Sequence, residues 1–420
     1  MVPINSFLML YLALFLLGVF LELILKRLNV GHLRQYGSKV PGLFEGFIDR
    51  KTLARTRDYT IENQNFDIIV SAISNALFVV IVLSGLLPWI SGIIQGLGFG
   101  ILISGLIFFT VIGIAEGLSS LPFAYYRTFI IEGRYGFNTS TLRIWITDIL
   151  KSAVIGSLVG GILLLSVLAL IEYSGRFWWL WAWSFFFAFQ SLLVIIYPTF
   201  IAPWFNKFIP LEDRALEKRV KEIMHESGLS VTGIFTVDAG KRSRHTNAYF
   251  TGLGKAKRII LFDTLMASHS HDEIIAILAH EVGHCKKRHI HKNLLIIGGF
   301  SLFIFYLASS LLRWDVLYQS FGFQSIVPYV GLFLTGMLWA AMARFLAPIG
   351  AAISRRFERE ADVYAARLLQ QTEDLRSALK RLAKDNLSNL YPHPLYAWFY
   401  YSHPPLSERI QYLEAMRPQR

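Results

Sequence analysis

The sequence predicts a mainly α, multi-pass membrane protein, with seven transmembrane helices joined to a soluble α+β portion on one face. Three observations lead there. Of 420 residues, 54% are hydrophobic and only 17% are charged, against about a quarter charged in an ordinary soluble domain. The charge is segregated, so that long stretches almost free of it alternate with segments dense in Lys and Arg. Seven of those stretches reach the ~20 residues that a hydrocarbon core requires.

In chain order the stretches fall at about residues 5–25, 67–90, 97–124, 149–171, 177–202, 293–312 and 325–349. A short glycine-containing turn between Gly92 and Gly100 separates the second from the third. The first has no basic residues before it and no small-residue cleavage site after it, so it reads as a retained span. With the N-terminus outside, the outer loops run over about 91–96, 172–176 and 313–324. Of 41 Lys and Arg residues only Arg176 and Arg313 fall there. The remaining 39 (41 less 2) lie in inner segments or, like Arg344, towards the inner end of a span, which places the C-terminus in the cytosol. This bias accounts for the net charge of +12 and the pI near 9.6; no basic stretch carries a nucleic-acid-binding motif. The single cysteine, Cys285, excludes an intrachain disulfide.

The chain therefore divides into 1–202 (spans one to five), 203–292 (soluble), 293–353 (spans six and seven) and 354–420 (soluble). In the first soluble segment, Asp213–Ser227 reads as an amphipathic helix with Leu216, Val220, Ile223 and Met224 on one side. Residues 233–238, 247–252 and 258–263 have strand character, with Gly252 and Gly254 supplying a turn. A small antiparallel sheet followed by a helix from Ser270 fits this pattern.

The chemistry lies in that helix. His280 and His284, in the run His-Glu-Val-Gly-His, are four residues apart on one helical face and can chelate one cation. Glu281 adjoins the first ligand, where it can take a proton from a water that zinc acidifies without ligating the ion. Catalytic zinc keeps three protein ligands, and two candidates for the third follow the seventh span: Glu358 and Asp362, again four apart. One can ligate while the other holds a ligating histidine in its tautomer. Glu360 points away from both and reads as a surface partner for a nearby arginine. His289, just after the motif, is a candidate to support a ligand, and His291 reads as an interfacial polar residue. Glu22, Asn75 and Glu116 are costly facing lipid and should face a cavity or a partner.

These residues resemble the type I CAAX prenyl protease family, the integral-membrane zinc endopeptidases. The likeness covers His280–His284, Glu132-Gly-Arg-Tyr-Gly-Phe-Asn138, Asn247-Ala-Tyr-Phe-Thr-Gly252, Arg258–Leu265, the Glu358/Asp362 pair, and His403-Pro-Pro405 with Arg409 beyond. The resemblance implies Glu358 as third zinc ligand, Asp362 behind it, one zinc ion per chain, and a zincin-like catalytic domain. It implies that Asn247, Ala248, Tyr249 and Phe250 form an edge strand onto which substrate adds, with Arg409 among the substrate contacts. Asn247 and His403 would meet the substrate backbone or the developing oxyanion; by sequence alone, His403 before two prolines is as readily a turn residue. The spans would form a barrel of helices around a chamber.

The function expected is hydrolysis of peptide bonds in membrane-associated or prenylated proteins, by a monomer whose partners are the substrate and the bilayer. The alternatives are membrane-protein quality control without prenyl specificity and, from another class, a channel or transporter. Compact length and short outer loops favour a bacterial inner membrane over the endoplasmic reticulum, and Arg417–Arg420 shows no retrieval signal.

Overall fold

The computed structural model of the protein describes residues 2–251 and 257–416. The turn placed at Gly252 and Gly254, and the C-terminal Arg417–Arg420, lie outside the described residues. Among the described residues, seven helices are long and apolar enough to cross a membrane. They are α1 (Ser6–Tyr36), α2 (Arg50–Ser84), α4 (Ile101–Tyr125), α5 (Leu142–Tyr173), α6 (Trp178–Ile196), α10 (His289–Leu311) and α12 (Pro328–Leu369). One boundary differs from expectation. The second span stops at Ser84 because Gly85 adopts the left-handed conformation (φ 80°), and residues expected as its end and as an outer loop form a separate helix, α3 (Leu86–Gly96).

The spans pack as a ring, with α12 also touching α4 and α5. Starting from α1, neighbours in contact run α2, then α4 (with α3 bridging), α5, α6, α10 and α12, which returns to α1. Only 6% of the apolar window of the second and fifth spans is buried, and 33% of the seventh. A filled bundle would cover far more, so the ring encloses space. One end is closed by an apolar plug in which Tyr11, Phe108, Leu168, Tyr318, Phe321 and Tyr329 pack together, from α1, α4, α5, α12 and the short α11 (Asp315–Ser320). Phe109 meets Phe333 of α12 at this end, ring centroids 6.2 Å apart. Glu116, seven residues and about two turns further along the same face of α4, is exposed. Asn75 binds Ser71 and accepts from Arg344 Nη2 at 3.1 Å, while Glu22 pairs with Lys26 at 2.6 Å.

The soluble portion closes the other end. Asp213 caps α7 (Arg214–Glu226), whose Leu216, Val220, Ile223 and Met224 are all buried. The sheet has four strands in the order β1 (Phe208–Pro210), β2 (Gly233–Val237), β4 (Arg258–Phe262), β3 (Ala248–Thr251). It is mixed, not antiparallel as expected, because β2 and β4 pair in parallel; β1 was not expected. Among the described residues β3 pairs with β4 alone and is an edge strand. After β4 come α8 (Asp263–Ser268) and α9 (His271–Lys286). A capping box starts α9: Ser270 accepts from Glu273 N, and Glu273 accepts from Ser270 N at 2.9 Å. After α12 follow α13 (Glu373–Asp385), α14 (Pro394–Tyr400) and α15 (Leu406–Ala415). A strap ties sheet to ring: Arg244 N donates to Phe137 O at 3.0 Å, and Arg242 forks onto Asp148 of α5.

Candidate metal centre

α9 and α12 cross. With 42 residues at 1.5 Å each, α12 is about 63 Å long, twice the hydrocarbon thickness, and its C-terminal half meets α9. The closest approach is at Gly283, where a Cβ would sit 2.8 Å from Ala361 Cα and 2.9 Å from Ala361 O. Only glycine permits that distance. A glycine inside a helix costs about 1 kcal/mol, and here it lets the faces carrying His280 and His284 reach Glu358.

The three side chains converge. His280 Nε2 lies 3.1 Å from His284 Nε2 and 3.4 Å from Glu358 Oε2, and His284 Nε2 lies 3.3 Å from Glu358 Oε1. Donors held about 2.0–2.1 Å from one tetrahedral ion stand roughly 3.3–3.4 Å apart, so the set fits a metal. Glu358 is buried, and its Oε2 makes no well-formed hydrogen bond although His403 Nδ1 is 2.8 Å away. Burial alone would raise the Glu358 carboxyl, but the imidazoles of His280, His284 and His403 outweigh it and hold the group far below the carboxylate range. Glu281, beside this cluster, is pushed upward by burial against the pull of the neighbouring histidines.

Each histidine is held from behind. His280 Nδ1 is 2.8 Å from Asp362 Oδ1, and Asp362 is fully buried. Arg409 forks onto the same carboxylate, Nε at 2.9 Å and Nη2 at 2.6 Å. Arg409, expected among the substrate contacts, is buried, with Nε and Nη2 on Asp362 and Nη1 3.7 Å from Glu358 Oε2, a placement that braces the centre. His284 Nδ1 lies 3.0 Å from His289 Nδ1, and His289 Nε2 lies 3.1 Å from Glu360 Oε2. Glu360 does take an arginine, Arg356 at 3.1 Å, but also reaches inward to His289. No sequence signal marks that second role, because it depends on how α10 sits against α12.

The remaining candidates lie on the open side. His403 is exposed. Asn247 is exposed immediately before β3, and its Oδ1 accepts from Ala248 N at 2.8 Å. Ala248 is buried, Tyr249 and Phe250 are half-buried, and β3 packs against α9.

Comparison with known proteins matches the geometry to a family. Residues 29–207 match the profile described as CAAX prenyl protease N-terminal, five membrane helices, and residues 210–417 match Peptidase family M48. The chain belongs to peptidase family M48. This M48 metallopeptidase is 34% identical to CAAX prenyl protease 1 of Saccharomyces cerevisiae over 404 residues, covering 90% of this chain and 89% of the relative. It is 31% identical to the CAAX prenyl protease 1 homolog of Homo sapiens, with 90% and 89% covered. The crystal structure of S. mikatae Ste24p superposes with a TM-score of 0.92 at 32% identity, covering 98% of this chain and 100% of that one. The two profiles meet where the M48 chain leaves its fifth span, and all three candidate ligands lie in the second.

Proposed function

We propose that this peptidase holds one zinc ion on His280, His284 and Glu358 and removes C-terminal residues from CAAX-type, lipid-modified proteins at the cytosolic face of its membrane. The observation carrying this reading is the convergence of those three side chains beside Glu281, in a chain similar along most of its length to proteins named CAAX prenyl proteases. Bound zinc supplies Lewis acidity towards the scissile carbonyl and the attacking water. The residues do the rest. A peptide adds as a strand to the free edge of β3, with Asn247 and His403 donating to its carbonyls. Glu281 takes the proton of the attacking water on its carboxylate and delivers it to the leaving nitrogen. Asp362 keeps the His280 proton on Nδ1, leaving Nε2 for the ion.

The lysine and arginine distribution supports the cytosolic orientation, and a metal centre drawn from one chain supports action as a monomer. The host membrane, bacterial inner membrane or endoplasmic reticulum, follows from fractionation. The deciding experiment incubates purified protein with a farnesylated peptide ending in a CAAX sequence and analyses the products by mass spectrometry. Release of the last three residues, lost in Glu281→Gln, is the expected result. Scattered internal cuts would instead place the enzyme in membrane-protein quality control.

A further inference from the structure

We propose that Glu360, acting through His289, is a positioning residue that fixes the tautomer and orientation of His284; this rests on the reading of His284 as a metal ligand. A histidine that ligates through Nε2 must carry its proton on Nδ1. His284 Nδ1 is 3.0 Å from His289 Nδ1, and two imidazole nitrogens at that distance share one proton. His289 must then accept on Nδ1 and carry its own proton on Nε2. That nitrogen faces Glu360 Oε2 at 3.1 Å. The reverse order fails at both junctions: two N–H groups would collide at one, and a lone pair would face the carboxylate at the other. The carboxylate thus selects the tautomer of both rings.

The fold holds the relay in place. His289 is 3% exposed and stacks on Phe357 with centroids 4.2 Å apart and planes 9° from parallel, which stops the ring turning. Glu360 is held by Arg356 at 3.1 Å and Lys292 at 3.3 Å. Arg288, in the left-handed conformation (φ 55°), makes the turn between α9 and α10 that brings His289 back to His284. His289 opens the sixth span, and Phe357 and Glu360 extend the seventh. One metal ligand is therefore oriented by the junction of two membrane helices, whereas His280 is oriented directly by the buried Asp362–Arg409 pair.

The test measures zinc affinity of the full-length purified protein by competition with a chromogenic chelator, without substrate, beside the visible spectrum of the cobalt-substituted form. Glu360→Ala and His289→Ala should each weaken zinc binding about 10–100-fold and shift the cobalt bands. The double variant should lose no more than the worse single one, since the two act in series. His289→Gln should recover part of the affinity, because its amide can accept from His284 and donate to Glu360. The melting temperature of zinc-stripped protein should stay unchanged in Glu360→Ala, whose side chain lies at the surface of the relay, whereas His289→Ala also loses its packing on Phe357. Wild-type affinity in Glu360→Ala, additive losses, or an equal loss of stability in the stripped protein without rescue by glutamine would each overturn the relay. A wild type that binds no zinc would overturn the metal reading beneath it, a result distinct from failed cleavage of CAAX peptides.

Discussion

The two ends of the helical ring are closed by the same device, a glycine that lets helices touch, but with opposite chemistry. At the plugged end, a Cβ on Gly105 would meet Leu168 Cδ1 at 2.5 Å and Tyr329 Cβ at 3.0 Å, side-chain carbons of a predominantly apolar cluster. At the metal end, a Cβ on Gly283 would meet the backbone of Ala361, and the surroundings are a chain of charges from Arg409 to Glu360. The closest obstacle at Gly105 is the far end of a flexible side chain, Leu168 Cδ1. A backbone carbonyl cannot move without carrying Glu358 and Asp362 with it. The plug therefore sets stability, and the crossing sets function.

The largest effect expected at the metal end is chemical. Glu281→Gln should lower the hydrolysis rate by about 10²–10⁴-fold while zinc content, measured by elemental analysis, stays at the wild-type level. Unchanged turnover would remove Glu281 from the mechanism. Next is Arg409→Met, which strands the Asp362 carboxylate in the interior and should cost about 3–5 kcal/mol. Thermal unfolding and zinc retention should fall together, with no counterpart at the apolar plug.

The glycines test the comparison most directly. Gly283→Ala should cost about 1–3 kcal/mol through overpacking and also release zinc, because the ligand set opens. Gly105→Ala should lower the melting temperature by no more and leave zinc affinity alone. If both variants lost metal equally, the two ends would not be functionally separate.

The smallest effect concerns acid. Burial pushes the Glu273 carboxyl up, but Ser270 N, Ser377 and Arg381, all within 3.0 Å, outweigh it and hold the group low. A depressed carboxylate contributes stability that is present above its unfolded pKa of about 4.3 and is lost as pH falls through its folded value. Glu273→Gln should therefore lower stability at neutral pH and flatten the acid limb of the stability curve. An acid limb as steep as the wild type's would show that other groups set it.

Legibility followed the range of the interactions. The spans were readable because twenty consecutive apolar residues are a local property, and α7 because its buried face repeats at helical spacing. The break at Gly85 was missed because glycine in an apolar run does not say which of several will turn left-handed. The sheet was called antiparallel because strand character carries no direction, and only the third dimension put β2 beside β4. His280, Glu281 and His284 announced themselves in five residues, whereas the pairing of Arg409 with Asp362 was not legible because the two lie 47 residues apart.

By itself, then, the sequence determined the membrane class, the number of spans, the two histidines and the adjoining glutamate, since each is fixed by composition or by spacing along one helix. The tertiary structure decided which carboxylate faces the Nε2 atoms of both histidines, that the other one stands behind His280 with Arg409, and that Glu360 reaches His284 through His289. Those choices depend on where α9 crosses α12, and that crossing is set by contact between Gly283 and Ala361, 78 residues apart in the chain.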